Sequence, residues 1–499
     1  MELEQAVSRL KALQKTLSAY GYITGVMQYD AMTVAPEASV EPRAETLGFF
    51  AGEQHRLLTG AETGELVEYL HEHKDEMDAQ TAREVYLLKK QRDQLARIPA
   101  DEYTAYVALL ARADVSWHQA KAASDFSLFQ SDLEQIVAAN IRLAGYYDAG
   151  KAPYDALLNE FEKGATMEML DAFFAKLRET IVPLVHQIGQ KAQPDDRFLH
   201  GDFSVEEQAK LSHDLMDLIG LDKKRCILGT TEHPFTDGFN RNDVRITTHY
   251  YPEYLASTVY SVIHEGGHAL YELGMDPCLD NSAAAGGASL GIHESQSRFY
   301  ENIIGRSRPF MDLLLPRMKR YFPAQLEGVT ADQLYAAVNK AEPSLVRTEA
   351  DELTYCLHIM VRYEIEKQLI AGTLAVKDIP QAWNQLYRDY LGVEVPNDRE
   401  GCLQDSHWSG GAIGYFPSYA LGSAYGAQML HTMEQDFDVE AAVAAGDIAR
   451  VTAWLGEKVH RYGSMKDPAD IIRFATGESF DACYYTNYLK KKFSALYGL

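Results

Sequence analysis

The chain has 499 residues, is 46% hydrophobic and carries a formal net charge of −25. That length and apolar content suffice for a substantial core, in one large domain or several smaller ones. The acid surplus leaves no basic excess to meet phosphate, which excludes nucleic acid and anionic membranes as partners.

In chain order, apolar residues three and four apart with charges between them predict helices over 1–29, 42–58, 79–97 and 103–123. The opening MELEQAVSRLKALQ reads as a charged amphipathic helix, unlike a signal peptide, and no apolar run reaches the ~20 residues needed to span a membrane. The pattern continues over 204–219. Strand-like sequence is scarce; the best stretch is 238–251, where Arg241, Asn242 and Asp243 turn a short hairpin. A sheet edge there would hold an extended peptide by strand addition, with Arg245 and Thr247 close to it. His233, before Pro234, either contacts substrate or ends a strand.

Residues 254–275 read as one helix with Leu255, Val259, Val262, Ile263 and Leu270 on its apolar face. Within it stands HEGGH at 264–268. Residues four apart lie one turn above each other, so His264 and His268 can grip one metal ion, by default zinc. Glu265, beside the first, can take a proton from a water that the ion activates. Gly266 and Gly267 each cost about 1 kcal/mol relative to Ala, so a substrate or neighbouring helix needs bare backbone there. The plainer alternative is a buried helix with two hydrogen-bonded histidines.

A catalytic zinc takes three protein ligands and keeps one open position. The metzincin pattern is absent, since Tyr271 and Gly274 stand where its Gly and third His would be. A glutamate from a following helix is the other common solution. Glu294 qualifies: it lies in GIHESQ at 291–296, opening a helical pattern through Phe299, Ile303 and Ile304, after the loop NSAAAGGA at 281–288. Taken alone it would be an exposed carboxylate in a first helical turn. Two His and one Glu do not separate zinc from cobalt or manganese.

Helical periodicity resumes over 331–340 and 351–370. HEGGH, HESQ and then GCLQDSHW at 401–408 resemble the signature set of the M32 family of metallocarboxypeptidases. HPF at 233–235, DVRIT at 243–247 and VRTEAD at 346–351 are similar to three further motifs of that family, Val346 standing where its pattern has Ile. The resemblance spans the whole chain. It implies a mainly α, large helical zinc-peptidase fold with a deep substrate groove, a homodimer, and a place for VRTEAD at the C-terminal end of the groove.

A carboxypeptidase must grip a free C-terminal carboxylate, for which planar, permanently charged Arg is best shaped. Arg347 is the first candidate and Arg245 the second. Their alternatives are internal ion pairs, with Asp243 for Arg245 and with Glu349, Asp351 or Glu352 for Arg347. The oxyanion formed in peptide hydrolysis needs a donor beside the metal. His407 and Tyr415 are the candidates, with Tyr419 of GYFPSY (414–419) next to them, although most of the 30 Tyr and also Trp408 must be packing residues. Gln404 and Asp405 either orient a ligand His or cap a turn.

The five cysteines are scattered, odd in number and free of any CxxC pair, as in a reducing cytoplasm. No repeat, low-complexity tract or Pro/Gly/Ser linker divides the chain. The expectation is one mainly helical catalytic domain over 1–499, with a small β-sheet beside the HEGGH helix and residues 1–80 as a helical lid. Its expected activity is metal-dependent, broad-specificity release of single residues from peptides with a free C-terminus. An oligopeptidase or dipeptidyl carboxypeptidase would use the same zinc core, and a peptide-binding protein with a structural metal is the non-enzymatic alternative.

Overall fold

The computed structural model describes residues 2–499. The first expected helix begins at Met1, which lies outside the described residues; from Leu3 it runs unbroken to Thr33. Helices Val40–Thr59, Ala61–Glu72 and Ala79–Arg97 follow, the last opened by Asp78, whose side chain accepts from the Thr81 N–H at 2.9 Å. These four share a small core of Ala6, Leu10, Leu58, Leu66, Val67, Leu70, Val85 and Leu88, separate from the main one. Gln14 ties this layer to the rest: it donates to Glu84 at 2.9 Å and accepts from the Ala283 N–H at 2.6 Å.

The main core is built by helices from Ala100–Ala123 onward and a three-stranded sheet. Its strands are β1 (Cys226–Thr230), β2 (Thr236–Asn240) and β3 (Asp243–Thr248), in the order β1-β3-β2. β2 and β3 form the expected hairpin, with an irregularity between Gly238 and Asn240. β1 pairs with β3 in parallel and was not expected from sequence; it is five residues long and its Ile227 is half exposed, so no alternating burial marks it. β3 is the central strand. Both its edges are occupied, so no peptide can add beside Arg245 and Thr247; the outer edges belong to β1 and β2.

Val244 and Ile246 of β3 are fully buried, and Thr248 on the same face reaches Ser261 of the HEGGH helix, Leu255–Leu273, at 3.1 Å. The sheet therefore lies on that helix, as expected. The HESQ helix, Leu290–Arg298, runs into a π-helical turn, Phe299–Ile304. A helix expected over 351–370 starts only at Tyr355, because the Asp351 carboxylate turns the chain by accepting from the Leu353 and Thr354 N–H groups. Helix Pro417–Asp436 completes the surroundings of the site. Among the described residues no helix is long and apolar enough to cross a membrane.

Candidate metal centre

His264 and His268 project from one face of the HEGGH helix, their ring centroids 5.0 Å apart. What brings Glu294 to them is bare backbone on both sides of the HESQ helix. A Cβ on Gly267 would lie 2.7 Å from the Gln296 carbonyl oxygen and the Ser297 Cα, and a Cβ on Gly422 would lie 2.7 Å from the Glu294 Cβ. The HESQ helix is thus held between two helices at a distance only glycine permits. The neighbour that Gly267 makes room for is a helix, while Gly266 clears the side chains of Ile219 and Leu221.

Glu294 Oε2 sits 3.8 Å from His264 Nε2 and 3.6 Å from His268 Nε2. Among the described residues these three side chains form the one cluster suited to a single ion, their ligand atoms all within 4.8 Å of one another. The other carboxylate oxygen, Oε1, accepts from Arg298 Nε at 2.7 Å, while Oε2, which also accepts from Ser297 Oγ at 3.2 Å, faces the two imidazoles. Burial alone would raise the Glu294 pKa, but Arg298 and the two histidines outweigh it and hold the carboxyl well below the usual range. His264 Nδ1 lies 2.8 Å from Glu301 Oε2, so Nδ1 donates to that carboxylate and Nε2 is the nitrogen turned to Glu294. Glu301 is supplied by the π-helical turn and also pairs with Arg298 and Arg306. Burial pushes His268 down to about 3, so it is a neutral imidazole at pH 7. Two imidazole nitrogens and one carboxylate oxygen are the donor set of a catalytic divalent site.

Glu265 is buried and accepts from Thr236 Oγ1 of β2 at 2.6 Å. Burial raises its pKa, which moves a carboxylate towards the working range of a general base at neutral pH.

An aromatic wall lies within electrostatic reach of Glu294. The Tyr415 and Tyr419 rings lie 5.3 Å apart, both hydroxyls feel the Glu294 charge, and His407 packs 5.2 Å from Tyr415 with its Nε2 3.3 Å from the Tyr419 hydroxyl. Burial holds His407 at about 4, and its Nδ1 is buried without a partner. The wall is anchored by Glu366, which accepts from Trp408 Nε1 at 2.7 Å, the Gly414 N–H at 2.8 Å and the Tyr154 hydroxyl at 2.9 Å; burial pushes this carboxyl up to about 7.

Arg347 is buried, and its partner is none of Glu349, Asp351 and Glu352. Nε and Nη2 donate to Asp405 Oδ1 at 3.0 and 2.9 Å, Nη1 donates to the Tyr355 hydroxyl at 3.1 Å, and its backbone N–H donates to Gln404. Asp405 also takes the fully buried Arg362, at 2.8 Å from Nε. Gln404 and Asp405 therefore hold arginines, not a ligand histidine. Arg245 is paired with Asp243 through two 2.9 Å bonds and lies under the Tyr29 and Phe239 rings, on the sheet face turned to the N-terminal helix. His233 is exposed in the loop between β1 and β2. Neither makes a hydrogen bond to the His-His-Glu cluster.

Glu301, Arg298, His293, Glu272 and Tyr355 were missed by the sequence reading. Arg298 and Glu301 fall four and seven residues after Glu294 and so on its helical face, a spacing that could have flagged them. Glu272, four residues after His268 on the same helix, carries the same signal, whereas nothing in the spacing pointed to Tyr355.

A largely helical body in which an HExxH helix and a glutamate from the next helix converge on one ion position defines a metallopeptidase fold. The sequence profile of the carboxypeptidase Taq (M32) metallopeptidases matches residues 9–493, and the chain belongs to that family. Over 501 residues, the full length of both chains, it is 41% identical to Carboxypeptidase 1 of Bacillus subtilis. It is 34% identical to Thermostable carboxypeptidase 1 of Pyrococcus furiosus, over 98% of each chain. The crystal structure of the M32 carboxypeptidase from Deinococcus radiodurans superposes with a TM-score of 0.96 at 35% identity, covering 99% of this chain and 100% of that one. The protein is a peptide hydrolase of the metallocarboxypeptidase class, with the mainly α fold expected for it.

Proposed function

We propose that the enzyme removes single residues of broad identity from peptides with a free C-terminus, using zinc, or cobalt or manganese in its place, held by His264, His268 and Glu294. The observation that carries this reading is Arg347. Three of its five side-chain N–H donors are engaged by Asp405 and Tyr355, which leaves two, on Nη1 and Nη2, for a substrate carboxylate. Two arginines against one aspartate also leave a surplus positive charge beside Tyr355 and Tyr419, suited to an anionic chain end.

His264, His268 and Glu294 would hold the divalent ion, which when bound would supply Lewis-acid polarisation of the scissile carbonyl and a water of lowered pKa, about 7. Glu265 takes the proton of the attacking water, its carboxylate held by Thr236, and returns it to the departing amine. Tyr415 and His407 supply donors for the negative oxygen, with Tyr419 on the substrate side of the same wall. Arg347 sets the register so that only the last peptide bond meets Glu265; Arg245 and His233 are secondary substrate contacts. The N-terminal helices, residues 1–80, act as a lid on a single catalytic domain. The scattered free thiols favour a cytoplasmic setting, and the family resemblance a homodimer.

The test is digestion of a defined peptide with mass analysis of the products, alongside Glu265→Gln. Stepwise loss of single C-terminal residues is expected, and Glu265→Gln should keep its metal while kcat falls by about 10²–10⁴-fold. Internal cuts or released dipeptides would overturn the exopeptidase reading, and near-normal turnover of metal-loaded Glu265→Gln would overturn the base assignment.

A further inference from the structure

The two ligand histidines are supported differently. His264 Nδ1 meets a carboxylate directly, through Glu301. His268 Nδ1 instead lies 2.7 Å from His293 Nδ1, and His293 Nε2 lies 2.8 Å from Glu272 Oε1. Two ring nitrogens at hydrogen-bond distance must be one donor and one acceptor. Ligation through His268 Nε2 leaves its proton on Nδ1, so His268 donates to His293. His293 must then carry its own proton on Nε2, and that proton needs an acceptor, which is Glu272.

We propose that Glu272 and His293 are positioning residues that fix the tautomer and ring orientation of His268 for metal binding, an inference that rests on the metal centre proposed above. The surroundings are shaped to leave this arm room. A Cβ on Gly238 of β2 would lie 2.6 Å from the Glu272 Cδ, and a Cβ on Gly287 would lie 2.5 Å from the His293 Cδ2. Two glycines from separate segments thus clear the two members of one chain of hydrogen bonds. The loop at 281–288 gains a task the sequence did not show: its Gly287 passes over the His293 ring, and the Ala288 N–H donates to Tyr271, whose ring lies 5.0 Å from that of His293. Glu272 itself lines a cavity of about 670 Å³ between the N-terminal helix and β2, so truncating it opens onto that space and leaves no sealed void.

Orienting partners of this kind change metal affinity by about 10–100-fold. Zinc affinity measured by chelator competition should therefore weaken by that factor in Glu272→Ala. Glu272→Gln, which keeps an accepting oxygen and loses only the charge, should fall between Glu272→Ala and the parent. The metal-free variants should unfold at temperatures close to that of the metal-free parent, which separates positioning from general packing. Zinc affinity within twofold of the parent in both variants would overturn the proposal. Glu294→Ala serves as the control on the underlying reading: if it too keeps the parent affinity, the metal centre itself is wrong, whereas if it alone loses zinc, only the Glu272–His293 arm falls.

Discussion

Asp405 decides what the arginine beside the tyrosine wall can do. It is shared by Arg347 and Arg362, the latter wholly buried, and the pair of arginines holds its carboxyl far below the usual range in spite of its burial. Removing Arg347 leaves Arg362 and Asp405 balanced, so Arg347→Ala should stay folded. Its loss should fall on substrate recognition, with kcat/KM down by roughly 30-fold or more through KM, the scale of one lost charged hydrogen-bonding partner. Asp405→Asn leaves two buried cations facing each other and should destabilise the protein by about 3–5 kcal/mol. Steady-state kinetics and thermal unfolding of the two variants check the pair, and parent-like KM in Arg347→Ala would contradict the carboxylate role. Arg347 was singled out by its motif as the candidate, while its partner left no sign in the sequence. The acids near it in sequence point elsewhere, Asp351 into its own turn and Glu352 to Lys492 at 2.6 Å, while Asp405 comes from 58 residues away. The Arg245–Asp243 pair was readable because residues two apart on a strand share a face.

Helix boundaries could be read from periodicity to within a few residues, but the closeness of two helices could not, and on that closeness the site depends. Gly267 is where it can be tested. Gly→Ala inside a helix ordinarily stabilises by about 1 kcal/mol, and Gly48 of helix Val40–Thr59, with nothing within 4 Å of an added Cβ, should behave so. At Gly267 the added methyl meets backbone atoms of the HESQ helix, which cannot rotate away. Gly267→Ala should therefore reverse the sign and destabilise by about 1–3 kcal/mol while weakening metal binding, because Glu294 rides on the displaced helix. Gly266→Ala should be milder, since it meets the tip of Ile219. Chemical denaturation of the three variants gives the order directly. Sequence showed that the two glycines needed a reason, and the reason differs between them. The π-helical turn after Arg298 left no trace in the apolar pattern, yet it carries Glu301.

At the scale of the whole molecule, the N-terminal helices stand apart from the body. The sequence reading put a lid over 1–80, but the small separate core also takes Val85 and Leu88 from the helix that follows, so the structural unit runs through Ala79–Arg97. Periodicity could not reveal this, because it marks a buried face without saying against what that face is buried. Helices Leu3–Thr33 and Val40–Thr59 expose much of their surface, with only Ala6, Leu10, Gln14 and Tyr29 buried in the first and Leu58 in the second. The HEGGH helix, by contrast, has buried residues on nearly every side. Opening free energy follows buried apolar contact, so the two regions should differ in amide hydrogen exchange. Amides of the first two helices should exchange through local opening, at free energies at least ~2 kcal/mol below those of Leu255–Leu273, which should exchange only with global unfolding. The first helix also walls the cavity onto which Glu272 faces, through Lys15, Tyr22 and Ile23. Independent opening of this layer would therefore uncover that cavity while the helices that carry His264, His268 and Glu294 stay packed, as a lid requires. Equal protection of the N-terminal and HEGGH helices would mean that the molecule opens only as one unit, and the lid would have to be given up.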